Sequence, residues 1–370
     1  MNQSTEQHRG QVLADDRTGR GGGVVLLTLR DLQFRITRFG ATVVGIAVVL
    51  ALLFLMTGLT EQFKREPRRT VSGFAADAWM LPDGASGAFT SGATMPVDVA
   101  AQVTGAEAAP VVIARHSLTK GSEQRDIVVA GMEPSSLGAM DVTDGSLVSA
   151  AGEAVVDESS GLDVGDTAFV GATSYSVVGL IDQRTMFAGM PMLFIGIGDA
   201  QDLVYRGQDL ATAVLVSGEP SSVPDGFVLL ENAEVAEDAT RPLERSISSV
   251  NLIRVLLWFV AALIIGTMTY LSALERRRDV AVLKAIGGSN RQLGMSIALQ
   301  GVLVALLAAA LASLLQVFMV PVFPLEVSVP TRAFLDVPAI AVVVSLLAGV
   351  FGLRKAVGVD PALAFSGPGA

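Results

Sequence analysis

The sequence predicts a membrane all-α protein of four transmembrane helices, with an α+β extracytoplasmic domain inserted between helices one and two. Three observations predict it. Four long stretches carry no charged side chain. The acidic residues collect between the first two of them, and the short segments flanking the stretches are basic. Composition agrees, since 51% of the 370 residues are hydrophobic and only 17% are charged, whereas a soluble domain carries about 25% charged residues. Cysteine is absent, so an outer domain has to hold through its apolar core alone.

A helix needs about 20 apolar residues to cross the hydrocarbon layer. Phe39 to Thr60 is uncharged over 22 residues, Val255 to Leu274 over 20, Gln292 to Leu325 over 34 and Val337 to Leu353 over 17. The predicted spans are 39–60, 251–274, 292–320 and 337–353. Pro321 and Pro324 end the third near Val320, and Pro338 is expected in the first turn of the fourth, where a missing N–H costs nothing. Met56-Thr57-Gly58-Leu59 offers no small-x-small cleavage site, so the first span is expected to be retained.

Charge sets the orientation. Leu59 to Val250 holds 27 acidic against 11 basic residues, a balance of −16, and the remainder holds 9 against 15, a balance of +6. Arg30, Arg35 and Arg38, then Arg276, Arg277, Arg278, Lys284 and Arg291, then Arg354 and Lys355 flank the spans. Short basic segments stay inside. Both termini, the connection at 275–291 and the tail at 354–370 are therefore expected in the cytoplasm of a plasma-membrane protein. The domain at 61–250 and the loop at 321–336 are expected outside.

Residues 1–23 are polar and read as a disordered tail. Over 24–38, Leu29, Leu32, Ile36 and Phe39 recur at helical spacing with arginines between them. That suits an amphipathic helix in the inner interface, and equally a charged lead-in to the first span. In the outer domain, strands are predicted at Ala108–Ala114, Arg125–Ala130, Met192–Ile197 and Thr212–Val216. A hairpin joins Thr167–Val170 to Tyr175–Ile181 through Gly171-Ala172-Thr173-Ser174. Asp199–Tyr205 looks helical, and Glu231–Ser249 leads helically into the second span.

Several chemistries are excluded. None of the four lysines follows a glycine, so a phosphate-binding Gly-Lys-[Ser/Thr] loop cannot form. His8 and His116 are the only histidines, which leaves no paired-histidine metal site and no catalytic triad in the membrane. No ionisable residue falls near the middle of a span, so a proton relay lacks its parts. No catalytic, metal or cofactor-binding residue is assigned, and nothing points to nucleic acid. The chain is expected to be no enzyme, with its energy supplied by a partner.

The informative run is Leu274 to Leu293, where span two continues into a charged helix that Gly287-Gly288 stops. Ser289, with Gln292 three residues on, forms a capping box for the next span. A short helix held between two spans can tilt both when pushed. Glu275, Arg276, Arg277, Val282, Leu283, Lys284, Ala285, Ile286 and Gly287 closely resemble the signature of the FtsX/MacB-like permeases, the membrane subunits of type VII ABC transporters. Asp279 stands where Glu is usual and Gly288 where Ala or Ser is usual. Val359-Asp360-Pro361-Ala362-Leu363-Ala364-Phe365 is similar to the family's C-terminal run.

This resemblance implies a permease homodimer in the lipid bilayer and two copies of a separate ABC ATPase subunit that bind ATP and Mg. The coupling residues would be Glu275, Arg276, Arg277, Arg278, Asp279, Leu283, Lys284, Ala285, Ile286 and Gly287. Their movement would pass through the spans to the outer domains, either to extrude an amphiphilic or hydrophobic compound (haem, lipid, peptide or drug) or to regulate an envelope hydrolase or sensor kinase. Gly165-Asp166-Thr167 and Val177-Val178-Gly179 resemble the HrtB/DevC-like branch. Met186, Phe187, Met190 and Met192 fall within Met186–Phe194, and soft thioethers with rings suit an adaptable apolar surface or axial contact with haem iron. They suit a packed strand and turn as well. Trp79 and Met80 are expected, from the family layout, to line the same region. Ala41/Gly45 and Ala47/Ala51 are small-xxx-small pairs suited to a helix–helix interface.

Overall fold

The structure is a computed structural model that describes residues 36–133, 141–275, 290–323 and 325–357. It divides into two compact units. The first is helical and the second, Leu59–Val250 with Leu325–Ser328, is built around a sheet.

Helix α1 runs unbroken over Ile36–Ser72, through the uncharged run and on through a charged stretch that includes Pro67. Three described helices are long and apolar enough to span a bilayer and a shorter apolar one covers Ala333–Ala348. In the helical unit, the inner part of α1 packs with α4 (Glu244–Glu275), α5 (Asn290–Met319) and α6 (Ala333–Val357). Ile46, Leu50 and Phe54 of α1 meet the alanine face of α5 at Ala305, Ala308, Ala309 and Ala312, and the Phe54 and Phe334 rings stack at 5.1 Å. Small residues let helix backbones approach closely where lipid offers no hydrophobic drive. Leu252, Leu256, Phe259 and Leu263 of α4 point away from this core, a lipid-type face. Helix α6 begins at Ala333, so Pro338 lies inside it and not in its first turn. Helix α5 ends at Met319 and passes into a 3-10 turn at Val320–Val322, beside Pro321.

In the second unit, a ring of ladders closes. Strands β3 (Glu107–Lys120) and β4 (Glu123–Met132) form a hairpin, β4 runs parallel to β10 (Met190–Gly196), and β10 pairs β6 (Glu153–Asp157). Strand β6 runs parallel to β8 (Thr173–Ile181), which pairs β7 (Thr167–Val170), and β7 returns to β3 at Leu118 and Thr119. The alternation of a strand sends Val112, Ile127, Val129, Val156, Val170, Tyr175, Val177, Leu193 and Ile195 inside this barrel as one core cluster. The predicted β7–β8 hairpin is present, with Val170 opposite Thr173. Gly171, at φ +61°, makes its turn, and a Cβ there would lie 2.9 Å from the His116 ring. That packing accounts for this histidine.

Along the edge that β7 uses near one end, β3 pairs β12 (Ala213–Ser217) at Glu107–Val111. Strand β1 (Ala78–Pro82) joins β12, and β13 (Phe227–Glu231) joins β1. This wing and the outside of the barrel share a second core, which also takes in Val71 and Phe74 after the membrane run and Val235 and Ala239 of α3 (Asn232–Thr240). Short pieces complete the unit: β2 (Met95–Pro96) with β11 (Leu210–Ala211), β5 (Val142–Gly145) beside β8, β9 (Thr185–Met186) beside β10, and α2 (Ile197–Tyr205).

Candidate coupling site

The residues that the sequence assigns to coupling do not all fall in the described structure. Arg276, Arg277, Arg278, Asp279, Leu283, Lys284, Ala285, Ile286 and Gly287 lie outside the described residues, as do the amphipathic stretch before Ile36, the capping box at Ser289 and the tail after Val357. Glu275 closes α4.

The outer turns of α1 are described in full. Glu66 lies six residues beyond the uncharged run and is almost fully buried. Its Oε2 accepts the Ala188 N–H at 2.8 Å and its Oε1 the Gly189 N–H at 2.6 Å. Phe187, Ala188 and Gly189 have φ of 54°, 72° and 90°, a left-handed run that glycine takes freely and that strains the other two. A carboxylate gripping successive N–H groups holds this turn in place. Burial raises the Glu66 pKa, while the hydrogen bonds from Thr185, Gly189 and Ala188 pull it back.

Further contacts fasten the same turns. Thr70 Oγ1 donates to Thr185 O at 2.6 Å, and Arg184 Nη1 donates to Arg69 O at 3.0 Å. A cation is favoured at a helix C-terminus, where carbonyls lack partners. The Arg184 N–H is held at 2.5 Å by Asp157 Oδ2 at the end of β6. One turn earlier, Gln62 Nε2 donates to Glu326 Oε2 at 2.8 Å and Arg65 Nη1 to Ser328 Oγ at 3.0 Å. The end of α1 is thus tied to β6, to the β9–β10 turn and to the 325–328 segment. The loop after β1 is anchored separately: Thr90 Oγ1 donates to the buried Asp238 Oδ2 on α3 at 2.5 Å, and Arg241 lies 3.5 Å from its other oxygen. Burial raises the Asp238 pKa against both partners.

The expected ligand surface needs correction. Trp79 and Met80 are adjacent on β1 and therefore face opposite sides of the wing. Trp79 enters the core with Phe74, Phe89 and Phe194, its Nε1 donating to Asn232 Oδ1 at 2.8 Å, and Met80 enters another with Met95 and Val214. Met186, Phe187 and Met192 are buried in the Trp79 core, with Met190 packed against it. Arg115 caps the Phe187 ring at 3.7 Å. Five of these side chains are buried in cores, and Met190 is half-buried against one of them. Among the small pairs, Ala47 and Ala51 are fully buried in the helical unit, whereas Ala41 is exposed and a Cβ on Gly45 would meet nothing within 4 Å. Only the second pair serves packing within one chain.

Glu66, Arg69, Thr70, Asp157 and Arg184 were not singled out by sequence reasoning. One signal was available: an acidic residue buried in a basic stretch beyond a membrane run, answered far along the chain by Phe-Ala-Gly.

Described helices long and apolar enough to cross a bilayer, beside a separate barrel-and-wing unit, are the parts of a membrane protein. Residues 39–244 match the family described as MacB-like periplasmic core domain, and residues 251–361 match FtsX-like permease C-terminal. A protein of Mycobacterium bovis named as an uncharacterized ABC transporter permease is 38% identical over 349 residues, covering 93% of this chain and all of that one. Another from Mycobacterium tuberculosis is 36% identical over the same length and share. The chain belongs to the FtsX/MacB-like family of ABC transporter permeases. Such a permease works with an ATPase partner. Looser likenesses join it to the periplasmic region of MacB from Actinobacillus actinomycetemcomitans, at 10% identity and a TM-score of 0.35 over 45% of this chain and 94% of that one. The extracellular domain of YknZ from Gram-positive bacteria gives 11% and 0.32 over 42% and 100%.

Proposed function

We propose that the chain is the permease subunit of an exporter driven by mechanotransmission. Two copies pair in the plasma membrane, with termini in the cytoplasm, through four spans each. Two separate ATPase subunits bind ATP and Mg and close on one another. Their movement enters at Glu275 to Gly287, passes along the spans, and drives the outer domains to extrude an amphiphilic or hydrophobic compound. The observation that carries this reading is α1. It is one helix from Ile36 to Ser72, and its outer turns are fastened through Glu66, Thr70 and Arg69 to the sheet domain.

The test is reconstitution with the ATPase subunit. Arg277→Glu with Lys284→Glu reverses two charges in the cytoplasmic run. The double variant is expected to insert normally while ATP hydrolysis no longer drives efflux. Efflux coupled as in the wild type would sink the proposal. ATPase coupling lost in the variant, with no efflux in either protein, would favour the regulatory reading, in which the same movement switches an envelope hydrolase or sensor kinase.

A further inference from the structure

Two arginines of the outer unit carry more N–H groups than the fold satisfies. Arg69 stands in the last turn of α1 and Arg184 just before β9. The Arg184 guanidinium lies on Gly73, where a Cβ would come within 1.9 Å of Nη1, and Nη1 donates to Arg69 O. The Arg184 guanidinium therefore sits against the backbone of Arg69 and Gly73, near enough to the Arg69 charge to feel it. Arg69 Nε, Arg69 Nη2 and Arg184 Nε are buried and bond to no described residue.

Two of the nearby carboxylates are already committed, while a third, Asp141, is exposed and acts on Arg184 through its charge. Both Glu66 oxygens take the N–H groups of Ala188 and Gly189. Asp157 Oδ2 takes the Arg184 backbone N–H, and Oδ1 takes Ser159 N and Oγ. Burial and the Arg69 charge lower the Arg184 pKa, only partly offset by Asp141 and Asp157. Two half-buried arginines whose buried donors lack partners call for an anion. Two planar guanidinium groups match the several oxygens of a phosphate group, and both residues keep part of their surface exposed, which gives it entry.

We propose that Arg69 and Arg184 bind a phosphate group, supplied by a lipid headgroup or by free phosphate. Arg69 is nine residues past Thr60 on one continuous helix, about 13 Å along its axis, within range of a headgroup region. The site stands whether or not the chain is an exporter.

The test uses the full chain in dodecyl maltoside micelles, which carry no phosphate, with inorganic phosphate titrated by calorimetry at low ionic strength. The variants are Arg69→Gln with Arg184→Gln, Gly73→Ala, and Arg68→Gln as an exposed control on the same turn. Gly73→Ala keeps both charges but displaces the Arg184 guanidinium, so it reads the geometry even if the double variant misfolds. Wild type is expected to bind phosphate saturably. The double variant and Gly73→Ala should bind at least tenfold more weakly, and Arg68→Gln within twofold of wild type. Nanodiscs of phosphatidylglycerol separate the sources: a headgroup occupant abolishes the phosphate response there, and a free-phosphate site keeps it. The site is refuted if wild type responds to neither phosphate nor phosphatidylglycerol, if Gly73→Ala binds as wild type does, or if Arg68→Gln loses as much as the double variant.

Discussion

Replacing Glu66 with alanine removes the one side chain that holds the Phe187–Gly189 turn from the helix. Two backbone hydrogen bonds to a charged acceptor disappear, those from Ala188 N–H at 2.8 Å and Gly189 N–H at 2.6 Å. At about 1.5–3 kcal/mol each, the gross loss is about 3–6 kcal/mol. Relief from burying the carboxylate, which shows as its raised pKa, offsets part of this, leaving about 2–4 kcal/mol. The strain at Phe187 and Ala188 is then unopposed, so the loss should appear first as local opening of the turn. Hydrogen–deuterium exchange of the intact protein reads this directly. At about 1.4 kcal/mol per tenfold, protection of peptides covering residues 184–192 should fall about thirty-fold to several-hundred-fold, with β4 and β8 unchanged. Unaltered exchange in that peptide would show that the carboxylate does not hold the turn.

Three more outcomes follow from the geometry. Trp79→Phe keeps the ring in its core but leaves Asn232 Oδ1 without its donor, so thermal unfolding of the outer domain should lose about 1–2 kcal/mol. Glu66 and Asp238 both have pKa values raised by burial. The folded state holds their protons more tightly than the unfolded chain, so their ionisation costs stability as pH rises through the raised values, above the usual carboxylate range. Denaturant titrations should show stability gained on mild acidification from neutral pH, with the gain reduced in Asp238→Asn. Glu153 acts oppositely: hydrogen bonds from Ser149 and Ala150 lower its pKa, so its contribution is lost only below the usual range. Ala51→Leu overfills a closed helix contact and should cost about 1–3 kcal/mol, whereas Ala41→Leu, exposed within one chain, should leave a monomer's stability unchanged.

Membrane helices and long strands were legible because their signals are local. An uncharged run or a β-branched stretch such as Val111–Ile113 states its preference without help from elsewhere. Strands β1, β6 and β13 were missed. Trp-Met-Leu, Ala-Val-Val and Phe-Val-Leu-Leu have both faces covered, which removes the alternation that marks a half-buried strand. Barrel closure was out of reach for a different reason. It turns on β7 returning to two residues of β3, a pairing that no local pattern encodes. The methionine-rich run left two readings open because core and ligand pocket demand the same soft, apolar side chains. Burial separates those two uses, and composition does not. Glu66 was hidden by its charge, since a carboxylate beside Lys64, Arg65, Arg68 and Arg69 reads as part of a solvated stretch.

The pairing of β1 with β12 and β13 bears on how the protein is made. Ala78 lies opposite both Val216 and Glu231, so the first strand to cross the membrane during synthesis waits for nearly the last before it has a neighbour on either side. Until then the Trp79 ring has no completed core to enter. Such closure over a long sequence separation is slow, and the wing is completed only after every barrel strand between Glu107 and Gly196 is present. The interval before β13 closes onto β1 is therefore the period in which the wing is most open to proteolysis and mispairing.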